Sequence, residues 1–336
     1  MKLTPGKLKG LNAVANARGV IAAAAMDQRG SLQKALAKEK GAAADAAMLS
    51  EFKVAVSRAL TPYASAILLD PEYGLPAAKA RASNAGLLLA YEESGYDNTQ
   101  PGRLPDLLPH CSVRRLQADG ADCIKVLLYY TPREAAAIND IKHAFIERVG
   151  AECRAEDIPF FLEFVGYDPA GGDEKGAEYA RIKPEVVAGS IAELTRPQYG
   201  VDVLKAEVPV NLKFVEGTRA FAGTAAYTRA EALDHFRRAA GAATKPFIYL
   251  SAGVGNAEFT ESLGMAAEAG VKYAGVLCGR ATWKDGIAVY AKQGLAAFEQ
   301  WLGTQGRANI EAVNQALVAA TPWYAAYGAS NASGVY

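Results

Sequence analysis

Among the ionisable side chains within apolar runs of this chain, three stand out: Lys205 in residues 200–207, Glu163 in residues 159–165 and Lys125 in residues 122–129. Burying an ammonium or a carboxylate strips it of water and is costly. Such groups are kept where a shifted proton affinity is useful. For lysine the main use is attack on a carbonyl to form a Schiff base. Attack requires the neutral amine, and at a pKa near 10.4 only about one molecule in 2,500 is neutral at pH 7. Lowering that value by about three pH units corresponds to roughly 4 kcal/mol. Burial and a nearby cation both act in this direction, and Lys125 is a candidate for the cation. A carboxylic acid must then protonate the carbinolamine and help expel water, a role that fits Glu163. A standing Lys205–Glu163 ion pair would act on the lysine in the opposite sense. The simpler alternative is a rim lysine paired with Asp202 or Glu207.

These residues are positioned by a repeating pattern. Eight apolar or β-branched runs occupy residues 19–26, 65–69, 86–91, 122–129, 159–165, 200–207, 247–250 and 273–278. They are continuous rather than alternating, as expected of parallel strands covered on both faces. Helical spacing fills the gaps: Leu49, Phe52, Val56 and Leu60; Ile138, Ile141, Phe145 and Val149; Val187, Ile191 and Leu194; Ile287, Ala291, Leu295, Phe298 and Leu302. Pro132 and Pro184 are expected in the first turns of their helices. Strand and helix alternating eight times predict an α/β fold, a (β/α)8 TIM barrel. The runner-up is a doubly wound open sheet, but no Gly-x-Gly-x-x-Gly follows the first run. The barrel is expected to form one domain over residues 1–336. A leading helix is expected within residues 1–18 and another helix near residues 309–318. The tail, residues 321–336, reads as exposed or loosely docked. Residues 94–109, rich in Pro, Gly, Asp and Asn, read as a rim or lid excursion.

The chain has 336 residues, with 36 basic balanced by 36 acidic. Neutral balance offers no general field for nucleic acid or an anionic membrane. The N-terminus has no signal core, and residues 21–25 are too short for a membrane span. None of Cys111, Cys123, Cys153 and Cys278 forms a CxxC pair. A reduced, cytoplasmic protein is expected, and a homo-oligomer is compatible with the composition. The histidines, His110, His143 and His235, do not cluster by pattern, so a metal-independent reaction without a cofactor is expected.

In such barrels chemistry sits at the C-terminal ends of the strands. Asp27, Gln28 and Arg29 follow the first run, Asp70 the second and Glu92 the third. Asp27 suits an active-site carboxylate or a helix cap. Arg29 suits an anionic group or a surface carboxylate, and Asp70 before Pro71 suits a turn. Side-chain alternation puts Lys205 on the face shared by Val203 and Glu207, directed into the barrel. Ser251 and Gly253 follow the seventh run, and Gly279 and Arg280 the eighth. Phosphate sites frequently form at those two exits, where glycines admit the anion and an arginine binds it in two-pronged fashion.

Six stretches together resemble tagatose-1,6-bisphosphate aldolases: residues 26–30 (Met-Asp-Gln-Arg-Gly), 69–74, 124–130, 199–211, 250–254 and 275–283. The resemblance runs from the first strand to the C-terminal helix. It implies a class I, metal-independent aldolase on a (β/α)8 barrel. It further implies Lys205 as the Schiff-base lysine, Glu163 as acid/base, and Asp27 and Lys125 in support. A substrate phosphate is implied at Ser251, Gly253 and Arg280, with Gln28 and Arg29 near the sugar and its second phosphate. The reaction implied is reversible cleavage of tagatose 1,6-bisphosphate to dihydroxyacetone phosphate and glyceraldehyde 3-phosphate, with fructose 1,6-bisphosphate as a second substrate. The alternatives are an aldolase of the same barrel type for a sulfonated ketose phosphate, and a non-catalytic sugar-phosphate sensor.

Overall fold

A computed structural model describes residues 2–94, 96 and 99–335. Each of the eight apolar runs forms a strand: β1 Ile21–Met26, β2 Ala66–Leu69, β3 Gly86–Ala90, β4 Cys123–Tyr129, β5 Phe160–Val165, β6 Val203–Ala206, β7 Phe247–Leu250 and β8 Gly275–Cys278. They pair in parallel in chain order and close β8 onto β1 as a barrel. The fold is a TIM barrel, the class the alternation implies. Closure needs a glycine where β8 starts beside β1. Gly275 pairs with Ile21 at φ +136°, and a Cβ there would lie 1.9 Å from the Ile21 carbonyl oxygen.

Strand pleating sorts the side chains into two cores. Ile21, Ala23, Ala25, Leu68, Leu88, Phe161, Val203, Ile248 and Leu277 fill the inside of the barrel. Their strand neighbours, among them Ile67, Leu69, Val126, Leu162, Leu204 and Ala206, pack outward against the helices. β1 carries four successive alanines, so small residues occupy both of its faces. The inward-facing charged residues of the strands are Lys125 on β4, Glu163 on β5 and Lys205 on β6.

Several helices differ from the periodicity reading. The helix Ala136–Ala155 starts four residues after Pro132, and it buries Asn139, Lys142, Ile146, Val149 and Cys153. Ile141 is 52 % exposed, so the buried stripe is displaced from the apolar one. The displacement arises because Lys142 donates to the Tyr167 hydroxyl at 2.8 Å and a polar residue occupies the inner face. Pro184 lies inside the helix Ala177–Leu194, not in its first turn. After β8 the single expected helix is broken at Gly294, φ +82°, into Gly286–Gln293 and Leu295–Trp301.

Of the two readings of the C-terminal tail, exposed or loosely docked, the structure shows a docked one, anchored at Trp323 and Val335. Trp323 is wholly buried and Val335 nearly so, packed with Leu3, Leu11 and Val14 under the N-terminal ends of the strands. The Leu3 amide donates to the Val335 carbonyl at 2.8 Å, and the Trp323 amide to the Gly19 carbonyl. The leading helix Pro5–Ala13 and the tail thus plug the barrel floor together. The aromatic content that looked like a loose end is the apolar area that closes it. Burial pushes the Cys278 thiol up to about 12, in keeping with inert packing. No helix of the described residues is long and apolar enough to cross a membrane.

Candidate active site

Lys205 lies in β6 with its neighbours Leu204 and Ala206 turned to the helices, so its own side chain enters the barrel. It is paired in register with Glu163 of β5. Its Nζ stands 2.9 Å from Glu163 Oε2, and both side chains are almost wholly buried. The same Oε2 lies 2.9 Å from Nζ of Lys125 on β4. One carboxylate oxygen therefore bridges two ammonium groups. Neither rim carboxylate considered for Lys205 is its partner. Asp202 binds Lys7 below the sheet at 2.7 Å, and Glu207 binds the Gly166 amide at 2.8 Å and Lys183 at 3.4 Å.

Lys125 is the hub of the cluster. Besides Glu163 it donates to Asp27 Oδ2 at 2.8 Å and to Glu92 Oε1 at 2.6 Å. Three acceptors match the three protons of an ammonium. Burial pushes Lys125 down, but Asp27, Glu163 and Glu92 outweigh it and raise the lysine well above its usual value, so it stays charged. Asp27 is held below the ordinary carboxylate range: burial raises it, and Lys125, Lys205 and Lys53 more than offset that. Glu163 is likewise lowered, with burial opposed by Lys125 and Lys205. Glu92 goes the other way, raised chiefly by burial, and its Oε2 has no hydrogen-bond partner. The carboxylates that a metal would need converge here on an ammonium. Among the described residues no group of three His, Cys, Asp or Glu side chains has metal-binding geometry.

The other expected residues gather around this cluster. Gln28 donates to Asp27 Oδ1 at 3.2 Å, and its own Oε1 is buried without a partner. A Cβ at Gly279 would lie 3.5 Å from Gln28 Nε2, which brings the β8 exit beside the β1 exit. Gly253, φ +81°, lies directly against Arg280, and a Cβ there would come within 2.8 Å of the guanidinium carbon. Ser251 is buried, whereas Arg280 is exposed. Lys284, which the sequence reading did not single out, donates to the Gly253 carbonyl at 3.0 Å and adds a second cation to that corner. Arg29 is placed apart from the open face. It is 5 % exposed, with Nη1 2.8 Å from Glu72 and Nη2 2.8 Å from the Glu92 carbonyl. It acts as a strut joining the exits of β1, β2 and β3.

Glu92 is the main residue left undecided by sequence. Two adjacent glutamates, Glu92 and Glu93, follow β3, and only Glu92 turns into the cluster, while Glu93 is exposed. The signal available was parity: Glu92 shares a face with the inward Leu88 and Ala90. The excursion after β3 folds back along that exit, through Leu108 N to the Tyr91 carbonyl at 3.1 Å. Gly95, Asp97 and Asn98 of the excursion lie outside the described residues. Arg103 from the same excursion stacks over Tyr129 and Tyr167, at 5.1 and 4.8 Å to the ring centres, and pairs with Glu174.

A closed parallel barrel with a buried lysine–carboxylate pair at the strand C-termini defines the class of lysine-bearing aldolase barrels. A family model described as DeoC/LacD family aldolase matches residues 21–285. The chain is 53 % identical over 330 residues to a tagatose 1,6-diphosphate aldolase of Listeria monocytogenes, covering 98 % of this chain and 96 % of that one. It is 52 % identical to tagatose 1,6-diphosphate aldolase 2 of Enterococcus faecalis, covering 97 % and 98 %. A solved archaeal fructose-1,6-bisphosphate aldolase, with its catalytic lysine bound to the substrate's carbinolamine intermediate, superposes at a TM-score of 0.57 and 16 % identity, covering 91 % and 98 %. That likeness concerns the fold. The chain belongs to the DeoC/LacD family of aldolases, and it is an enzyme, a carbon–carbon lyase.

Proposed function

We propose that this protein reversibly cleaves tagatose 1,6-bisphosphate to dihydroxyacetone phosphate and glyceraldehyde 3-phosphate through a Schiff base on Lys205, and accepts fructose 1,6-bisphosphate as well. The observation that carries this reading is the single Glu163 oxygen held 2.9 Å from both Lys205 and Lys125. Lys205 Nζ attacks the C2 ketone of the open-chain sugar. Its proton passes to Glu163, whose other neighbour, Lys125, keeps a positive charge beside it throughout. Glu163 then protonates the carbinolamine hydroxyl, and water leaves to give the iminium. Glu163, a carboxylate once more, takes the C4 hydroxyl proton as the C3–C4 bond breaks, and the iminium takes up the electron pair as an enamine. Glyceraldehyde 3-phosphate departs. Protonation of the enamine and hydrolysis release dihydroxyacetone phosphate and restore Lys205. Asp27 holds Lys125 in place at the mouth.

The substrate's ends are assigned by the local cations. Ser251, Gly253, Gly279 and Arg280 receive the phosphate nearer the ketone, with the guanidinium as its charged donor. Gln28 faces the sugar. Arg29, buried against Glu72 and the Glu92 carbonyl, braces the loops at the second phosphate's end from behind. The four unpaired cysteines support a cytoplasmic setting.

Dihydroxyacetone phosphate with borohydride is expected to add a stable mass of one reduced adduct per chain, mapping to the Lys205 peptide and undiminished by a chelator. An adduct on another lysine, or activity lost to a chelator and restored by zinc, would sink the mechanism. Gly253→Ala is expected to raise KM for the bisphosphate roughly tenfold or more, because the methyl displaces Arg280 from a charge-assisted contact. Steady-state kinetics check this; an unchanged KM would move the phosphate elsewhere.

A further inference from the structure

Behind the mouth lies a second buried ion pair that the chemistry above does not use. Lys53, on the helix Ala46–Leu60, pairs with Asp70 at the exit of β2, and neither side chain has any exposure. Lys53 Nζ also donates to the Met26 carbonyl at 2.8 Å and to the Gln28 carbonyl at 2.8 Å. These three acceptors use every proton of the ammonium. Asp70 is itself fixed, its Oδ1 accepting from the Tyr73 amide at 2.7 Å.

The two carbonyls belong to the residues immediately before and after Asp27. β1 ends at Met26, paired in register with Leu69, so Asp27 already lies beyond the sheet ladder. A residue in that position has no strand partner to fix its backbone. An ammonium bridging these carbonyls pins the Met26–Asp27 peptide and the Gln28–Arg29 peptide, one on each side of the Asp27–Gln28 link, and so restrains the origin of the Asp27 side chain. A pair serving stability alone needs no such aim; two apolar side chains of similar volume would fill the space at least as well.

We propose that Lys53, anchored by Asp70, is a positioning residue that holds the backbone on either side of Asp27 so that the Asp27 carboxylate meets Lys125 in the active site. The inference rests on the reading of Asp27 and Lys125 given above. Lys53 touches neither substrate nor reacting atoms and acts through Asp27.

The test compares saturating cleavage of tagatose 1,6-bisphosphate by the full chain carrying Lys53→Met with Asp70→Asn, a replacement that leaves no unpaired buried charge. A displacement of about 1 Å in an active site costs on the order of 100-fold. The pair is therefore expected to lower kcat by roughly 30- to 100-fold while KM stays within about threefold, with cooperative unfolding retained. Added to Asp27→Ala, it is expected to lower kcat no further than Asp27→Ala alone, because both act through one carboxylate. A kcat within about threefold of the parent, or losses that multiply with Asp27→Ala, would overturn the inference. If the paired replacement does not fold, Asp70→Asn alone decides by the same two readouts, with a loss of roughly tenfold expected and an unchanged kcat overturning it. A normal kcat for Asp27→Ala by itself would overturn the reading of the active site, and the inference with it. A loss there beside normal activity of the Lys53 and Asp70 replacement overturns the inference alone.

Discussion

Lys205→Arg is expected to lower kcat by roughly four orders of magnitude or more and to abolish the borohydride-trapped adduct. Arginine keeps a positive charge within reach of Glu163, so the pairing with that carboxylate survives. What it lacks is a neutral form near pH 7, since its pKa exceeds about 12 and it cannot act as a nucleophile. The loss thus isolates covalent chemistry from electrostatics. Lys205→Met separates the two further: it removes the charge as well and leaves Glu163 with Lys125 alone. Both variants should show equal, near-background rates and no adduct by intact mass. Residual activity of Lys205→Arg within about 100-fold of the parent would place the Schiff base on another amine, Lys125 being the alternative within the cluster.

Glu163→Gln should cost roughly 100- to 10,000-fold in kcat, the usual worth of a positioned acid/base. The amide retains shape and one acceptor for the two lysines but cannot carry a proton between steps. Adduct formation should slow in parallel, because dehydration of the carbinolamine needs the same group. Rapid-quench trapping over time checks this: a normal trapping rate with slow turnover would confine Glu163 to the steps after the iminium. Stability follows a related rule. Burial raises Glu163, and Lys125 and Lys205 together lower it below its ordinary value. A carboxylate with a depressed folded value contributes stability above its unfolded pKa and loses it as pH falls through the folded value. The parent should therefore lose more unfolding free energy than Glu163→Gln as pH is taken below the ordinary carboxylate range. Denaturant melts of both chains at a series of acid pH values measure the difference.

The eight strands were legible because each is buried on both faces, and that burial writes a continuous apolar run into a short local segment. The lysine and carboxylate stood out against those runs for the same reason: a charge inside one is costly wherever the run is placed. Parity along β6 also told which way Lys205 points. Partners were another matter. Lys125 is 98 residues from Asp27 and 33 from Glu92, and no spacing rule relates them. The Arg29 strut, the Lys53 bridge behind Asp27 and the Trp323 plug of the barrel floor escaped sequence reading likewise.

By itself, then, the sequence determined which segments become strands, which residues face inward and which chemistry they could perform, since all three follow from local burial and a period of two. Only the tertiary structure decided which charges meet. Ion pairing depends on distances of a few ångströms between side chains brought together by barrel closure, and closure is a property of all eight strands in register rather than of any one of them.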